Sequence, residues 1–165
     1  MWVVSIFWFE SHDATSFWSE DRITCRDQTN VRIKFPWRLT IGSYVWVGQG
    51  VWIDNLAQVT LDDQVCLSQR VYLCTGTHNH RKKSFDLITK PISVAAGGWI
   101  CAGAILLPGT VVGREAIVSA GSVVKGQVDS GVIMKGNPAC KVGVRTYEEI
   151  GNLVETEEKR SEMSE

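Results

Sequence analysis

"VAAGGWICAGAILLPGTVVGREAIVSAGSVV", residues 94–124, places an aliphatic side chain at every sixth position: Val94, Ile100, Leu106, Val112, Val118 and Val124. The same step runs upstream through Ile41, Val47 and Ile53, and again through Leu61, Leu67 and Leu73. Four residues after each comes a small or β-branched residue: Val45, Val51, Ala57, Val65, Val71 and Thr77, then Gly98, Ala104, Thr110, Ala116, Ser122 and Val128. Spacings of two and four keep one parity and so share a strand face, whereas six residues along an α-helix turn the side chain about a third of a circle away. The period therefore predicts short strands. Gly42, Gly48, Asp54, Asp62 and Gly113, each just after an aliphatic position, predict a bend that ends each strand. A hexapeptide period with fixed bends is the mark of a parallel β-helix, where each coil buries its inward face only by stacking on the next.

Working outward, 165 residues suit one domain, and a net charge of -1 gives no general attraction to nucleic acid or an acidic membrane. Five cysteines, Cys25, Cys66, Cys74, Cys101 and Cys140, form no CxxC pair and are odd in number, which argues against a zinc ribbon and a disulfide framework. They read as buried free thiols in a reducing cytoplasm. The start, "MWVVSIFWFE", is too short for a membrane span and lacks the basic region of a signal peptide, so no transmembrane segment is expected. Residues 1–30 show no hexad and are assigned as an N-terminal cap. Residues 31–145 form the β-helix domain, and 146–165 carry a short amphipathic helix, with Tyr147, Ile150 and Val154 at helical spacing, and a charged tail.

The position before each aliphatic residue points outward, yet it holds Trp46, Trp52, Cys66 and Tyr72, then Trp99, Ile105, Val111, Ile117 and Val123. Contiguous apolar surface of this kind marks a contact site, so another copy of the chain or a ligand is expected to cover it. The rhythm breaks once. From Leu73 to Val94 the step is 21 where six is expected, giving an excursion loop, 74–93, that contains His78, His80, Arg81, Lys82, Lys83 and Asp86. Loops that leave a rigid scaffold commonly carry function. His78 takes the outward slot just before the excursion, where a regular strand is expected to hold it, and histidine is the usual general base near neutral pH.

The segments "IKFPWRLTIGSYVWVGQGVWIDNLAQVTL", "LCTGTHNH", "SFDLITKPI", "AGSVV" and "GNPA" resemble the hexapeptide-repeat acetyltransferases with a left-handed β-helix, and most of all the WcaF-like colanic acid O-acetyltransferases. The likeness runs from about Val31 to Arg145. It implies an all-β, left-handed, triangular coil, a homotrimer with sites between subunits, acetyl-CoA as co-substrate, and a sugar or glycan-precursor acceptor. "CTGTH" places His78 at the family's general base. "WIDN" places Asp54 and Asn55 at acceptor contacts, with Asp54 equally readable as a bend residue and Asn55 the better candidate of the two. In the family's cofactor groove Trp99 would pack on the pantetheine arm, and the backbone N–H of Ala102 would serve the thioester or oxyanion. Ala120 would meet the pantetheine amides and Lys125 the adenosine phosphates. After "AGSVV" the chain departs from the family's Thr-Lys-Asp-Val-Pro-Pro: it reads "KGQVDS", with its lysine shifted by one and both prolines absent.

The expected reaction is direct acetyl transfer to a sugar hydroxyl, in which His78 removes the proton and a backbone N–H stabilises the oxyanion. A sugar-nucleotide N-acyltransferase would use the same base with an amine acceptor, and a non-catalytic β-helix scaffold would bind no coenzyme A. A zinc hydratase on the same fold class needs three histidines around one ion; this chain owns only His12, His78 and His80, so no metal site is assigned.

Overall fold

The computed structural model describes residues 4–5 and 30–147. Short strands stack in register into three faces. The first face carries Arg32–Ile33, Trp52–Asp54, Tyr72–Cys74, Ile105–Leu106 and Val123–Val124, with Val4–Ser5 added antiparallel at its lower end. On the second lie Leu39–Ile41, Val59–Leu61, Ile92–Val94, Val111–Val112 and Gln127–Val128. The third holds Trp46–Val47, Cys66–Leu67, Trp99–Ile100, Ile117–Val118 and a closing hairpin, Val132–Gly136 with Ala139–Val144. The chain visits the faces in that order, coil after coil, as a left-handed parallel β-helix of about five turns.

Parity explains the core. Ile33, Ile53, Leu73, Leu106 and Val124 stand one above another inside the first face, and Val47, Leu67, Ile100, Val118 and Met134 inside the third. Each aliphatic ladder leaves water only because its neighbours above and below do the same. Buried hydroxyls are satisfied within the wall: Thr110 Oγ1 donates to Leu107 O at 2.7 Å, and Ser122 Oγ accepts from the Gly136 N–H at 3.0 Å.

Two inward assignments shift. Val59 and Thr75, not Ala57 and Thr77, are buried. The chain takes eight residues instead of six from Ile53 to Leu61, and it leaves the wall after Thr75, so the fourth residue on no longer faces inward. The excursion is also more ordered than a loop: Gly76–His78 and Leu87–Thr89 pair antiparallel, His78 opposite Leu87 and Thr77 opposite Ile88. His78 therefore stands on a hairpin that projects from the coil.

The outward apolar positions are where parity puts them, with Trp52 41% and Trp99 42% exposed. The same parity corrects the cysteines: Cys66, Cys74 and Cys101 are half-buried on the outer surface, and Cys140 is exposed, all of them free. Among the described residues no helix is long and apolar enough to cross a membrane. The cap over 1–30, apart from residues 4–5 and 30, and the C-terminal helix lie outside the described residues.

Candidate active site

The site is built around the two edges of the first face, since strands there enter from one corner of the triangle and leave at another. Thr75 anchors the leaving edge. Buried, it donates through Oγ1 to Asp54 O at 2.9 Å and accepts from the Ala57 N–H at 2.9 Å, tying the foot of the hairpin to the coil below. Gly76 follows it, and the Leu56 side chain fills the space beside it: a Cβ there would sit 2.4 Å from Leu56 Cδ1.

His78 comes next, exposed, on the same side of the hairpin as Gly76. Its ring stacks on Phe85, centroids 4.4 Å apart and planes within 5°. Nδ1 lies 2.8 Å from Phe85 O. A carbonyl oxygen only accepts, so Nδ1 is the donor here, and in the neutral ring the lone pair falls to Nε2. Phe85 is the partner that sequence reading missed; nothing in the hexad pattern points across the excursion to it.

Thr77 and Ile88 face the other side of the hairpin. With Lys90, Leu107, Pro108 and Lys125 they line a cavity of about 230 Å³ at the leaving edge. The Lys90 stem lies over Gly109, where an added Cβ would meet its Cδ at 3.1 Å. Lys125 thus stands behind the hairpin, with Lys90 lining the same cavity.

Asp54 and Asn55 sit below the hairpin and have different surroundings. Asp54 Oδ1 pairs with Lys34 Nζ at 3.0 Å, and Oδ2 accepts from the Tyr72 hydroxyl at 3.2 Å. Asn55 is fully buried, and both ends of its amide are engaged by one residue: Oδ1 accepts from the Phe35 N–H at 2.9 Å and Nδ2 donates to Phe35 O at 2.6 Å. Burial, the neighbouring Cys74 and the Asp54 carboxylate push the Tyr72 phenol well above its ordinary range.

Trp99, Ala102 and Ala120 lie toward the entering edge, across the first face from His78 and Lys125. At this corner the same structural position carries Gln49 and Gln69 in the lower coils and Ala102 and Ala120 in the upper ones. The change to alanine strips side chain from the surface. Neither the Ala102 nor the Ala120 N–H has a hydrogen-bond partner among the described residues, and an added Cβ at the following Gly103 or Gly121 would meet nothing within 4 Å. The corner is therefore an open groove with two N–H donors that no described residue engages, chemistry that suits the carbonyl and thioester oxygens of a pantetheine arm. Trp99 flanks it, its indole N–H donating to Ser68 Oγ at 3.0 Å. Below, Arg32 and Arg70 line a cleft of about 820 Å³ that reaches Ala102 and Gly103. One copy of the chain thus does not bring His78 and the Ala102 groove to one place. Among the described residues no group of three His, Cys, Asp or Glu side chains is placed to hold a metal ion.

No protein-family model matches the chain. It is 34% identical over 120 residues to WcaF of Escherichia coli, named a colanic acid biosynthesis acetyltransferase, covering 73% of this chain and 66% of WcaF. Among solved structures, the maltose O-acetyltransferase of Clostridium difficile superposes with a TM-score of 0.67 at 20% identity, over 76% of this chain and 67% of that one. The hexapeptide-repeat acetyltransferase VCA0836 of Vibrio cholerae, in complex with acetyl coenzyme A, gives 0.63 at 24% identity, over 67% and 62% of the two chains. The two structures share the fold, WcaF shares the sequence along the coils as well, and the chain belongs to the hexapeptide-repeat acetyltransferases, as a WcaF-like member.

Proposed function

We propose that the protein moves an acetyl group from acetyl-CoA to a hydroxyl of a sugar or glycan precursor by direct transfer. The observation that carries this reading is the Nδ1 contact of His78 with Phe85 O, which leaves Nε2 as a lone-pair acceptor on an exposed hairpin. In this mechanism Nε2 takes the acceptor's proton as its oxygen attacks the thioester carbon, and an N–H of the Ala102 corner receives the oxyanion. His78 then returns the proton to the departing thiolate. Stacking on Phe85 holds the imidazole in the orientation both steps need.

Base and groove lie at opposite edges of one copy, so the active assembly is a homotrimer in which His78 of one copy faces the Ala102–Ala120 groove of the next. The exposed indoles of Trp52 and Trp99 are the kind of surface such contacts cover. Trp99 packs on the pantetheine arm, Ala120 meets its amides, and Lys125 approaches the phosphates. Asp54, with a carboxylate facing Lys34 and Tyr72, is the better placed of the two acceptor candidates. Supply of acetyl-CoA goes with a cytoplasmic location.

The test is acetyl-CoA turnover on hydroxyl and amine sugars with wild type and His78→Ala. Turnover falls by roughly 10² to 10⁴-fold in the variant while its fold and assembly persist. An unchanged rate in a folded variant removes His78 as base, and acceptance of amines alone turns the reading to N-acyl transfer.

A further inference from the structure

Trp37 is 73% exposed, yet nothing about it is loose. Tryptophan is among the residues least expected at such exposure, because its large apolar surface is costly to leave in water. It sits in the turn Pro36–Arg38, at the leaving edge of the first face, in the lowest coil. Proline at the first position of that turn presets its backbone. Both backbone groups of the preceding Phe35 are held by the buried Asn55 amide. Arg38 Nη1 donates to Leu56 O, and its guanidinium lies 5.4 Å from the Phe35 ring centre. The Trp37 ring itself leans on Phe35, centroids 5.4 Å apart at 57°.

This clamp connects directly to the hairpin above. Leu56, whose carbonyl holds Arg38, is also the side chain that fills the space beside Gly76. Gly76 and His78 share one side of the hairpin, so that side looks down on the Leu56 corner and, beyond it, on the Pro36–Arg38 turn. Two coil spacings separate the turn from the hairpin foot, roughly 10 Å. A single pyranose ring at His78 does not reach the indole; a second or third linked ring does.

We propose that Trp37 is the floor of a second saccharide subsite, so that the acceptor is an oligosaccharide or longer glycan laid along the leaving edge from His78 down to Trp37. The indole offers an apolar plate for the C–H face of a sugar ring. Phe35, on which the indole leans, also carries the Arg38 guanidinium and the Lys34 ammonium, 5.4 and 5.9 Å from its ring centre, so the plate is bordered by donors for sugar hydroxyls. That mixture, one ring wide, suits a hydroxylated ring rather than a protein partner, whose interface needs a broad contiguous patch. The buried Asn55 acquires a role here as well: it fixes the plate, acting on the acceptor through Phe35.

The inference rests on the acetyltransferase reading, and the experiment separates the two. Wild type, Trp37→Ala and Trp37→Phe are compared on an array of defined glycans from one to six sugar residues, alongside calorimetry with coenzyme A and sedimentation velocity. Wild type retains certain oligosaccharides better than the single sugars that end them. Trp37→Ala loses about tenfold of that retention, as removal of one aromatic contact implies, and Trp37→Phe keeps part of it. Coenzyme A affinity is unchanged in both variants. Wild-type retention that does not grow with glycan length, no retention at all, or the same retention in Trp37→Ala overturns the subsite. Dissociation of the assembly by Trp37→Ala would show that a second copy covers the indole, and overturns it too. Wild type that binds no coenzyme A sinks the acetyltransferase reading itself, whatever the array gives.

Discussion

Asn55 shows how far one residue's meaning depends on its neighbours. Its place in "WIDN" suggests an acceptor contact, but its amide is buried and bonded to Phe35 on both sides. Asn55→Asp replaces the donor by a second oxygen facing Phe35 O, leaving a buried carbonyl without its hydrogen bond at a cost of about 1–3 kcal/mol. Thermal unfolding of this variant begins several degrees lower than in wild type. An unchanged midpoint with a raised acceptor KM would return Asn55 to direct contact. Tyr72 makes a prediction in pH. Its phenol stays neutral in the fold, since burial and then Cys74 and Asp54 oppose its ionisation, whereas the unfolded phenol ionises near pH 10. A raised folded value means that this contribution to stability is whole below pH 10 and is lost as the pH climbs above it. Thermal midpoints measured from pH 8 to 11 should fall for wild type at the alkaline end, and fall less for Tyr72→Phe.

At the scale of elements, the hairpin of Gly76–His78 with Leu87–Thr89 is the one projection from the coil that carries the proposed base. Its foot is tied to the coil by Thr75, and next to it the missing Cβ of Gly76 fits against Leu56. Gly76→Ala makes the end of the Leu56 side chain swing aside, at the low end of overpacking costs, about 1 kcal/mol. The expected result is lower turnover with coenzyme A affinity kept, and recovery when Leu56→Ala is added. A fully active single variant, or a double variant no better than the single, would mean that the hairpin is positioned by other contacts. The coils were legible in the sequence because an inward aliphatic every sixth residue has no other good explanation. The hairpin was legible only as a gap: its pairs, His78 with Leu87 and Thr77 with Ile88, are partly exposed and lack the alternation that announces a strand.

For the whole molecule the proposed site between copies predicts complementation. His78→Ala removes the base and Ala102→Trp fills the groove, so each variant alone is inactive. Co-expressed, they regain activity at interfaces where an intact His78 faces an intact groove; a site contained in one copy would regain none. By itself, the sequence determined the coil, its phase and its outward apolar positions, because a hexapeptide repeat stacks each residue on those directly above and below, eighteen steps away wherever three regular hexads complete a coil. Which residues share an edge was decided by the tertiary structure alone. Phe85 at His78, Lys90 beside Lys125 and Asn55 behind Trp37 meet at the corners, where the step length varies and the chain leaves the wall. There the repeat no longer dictates contact, and packing in three dimensions does.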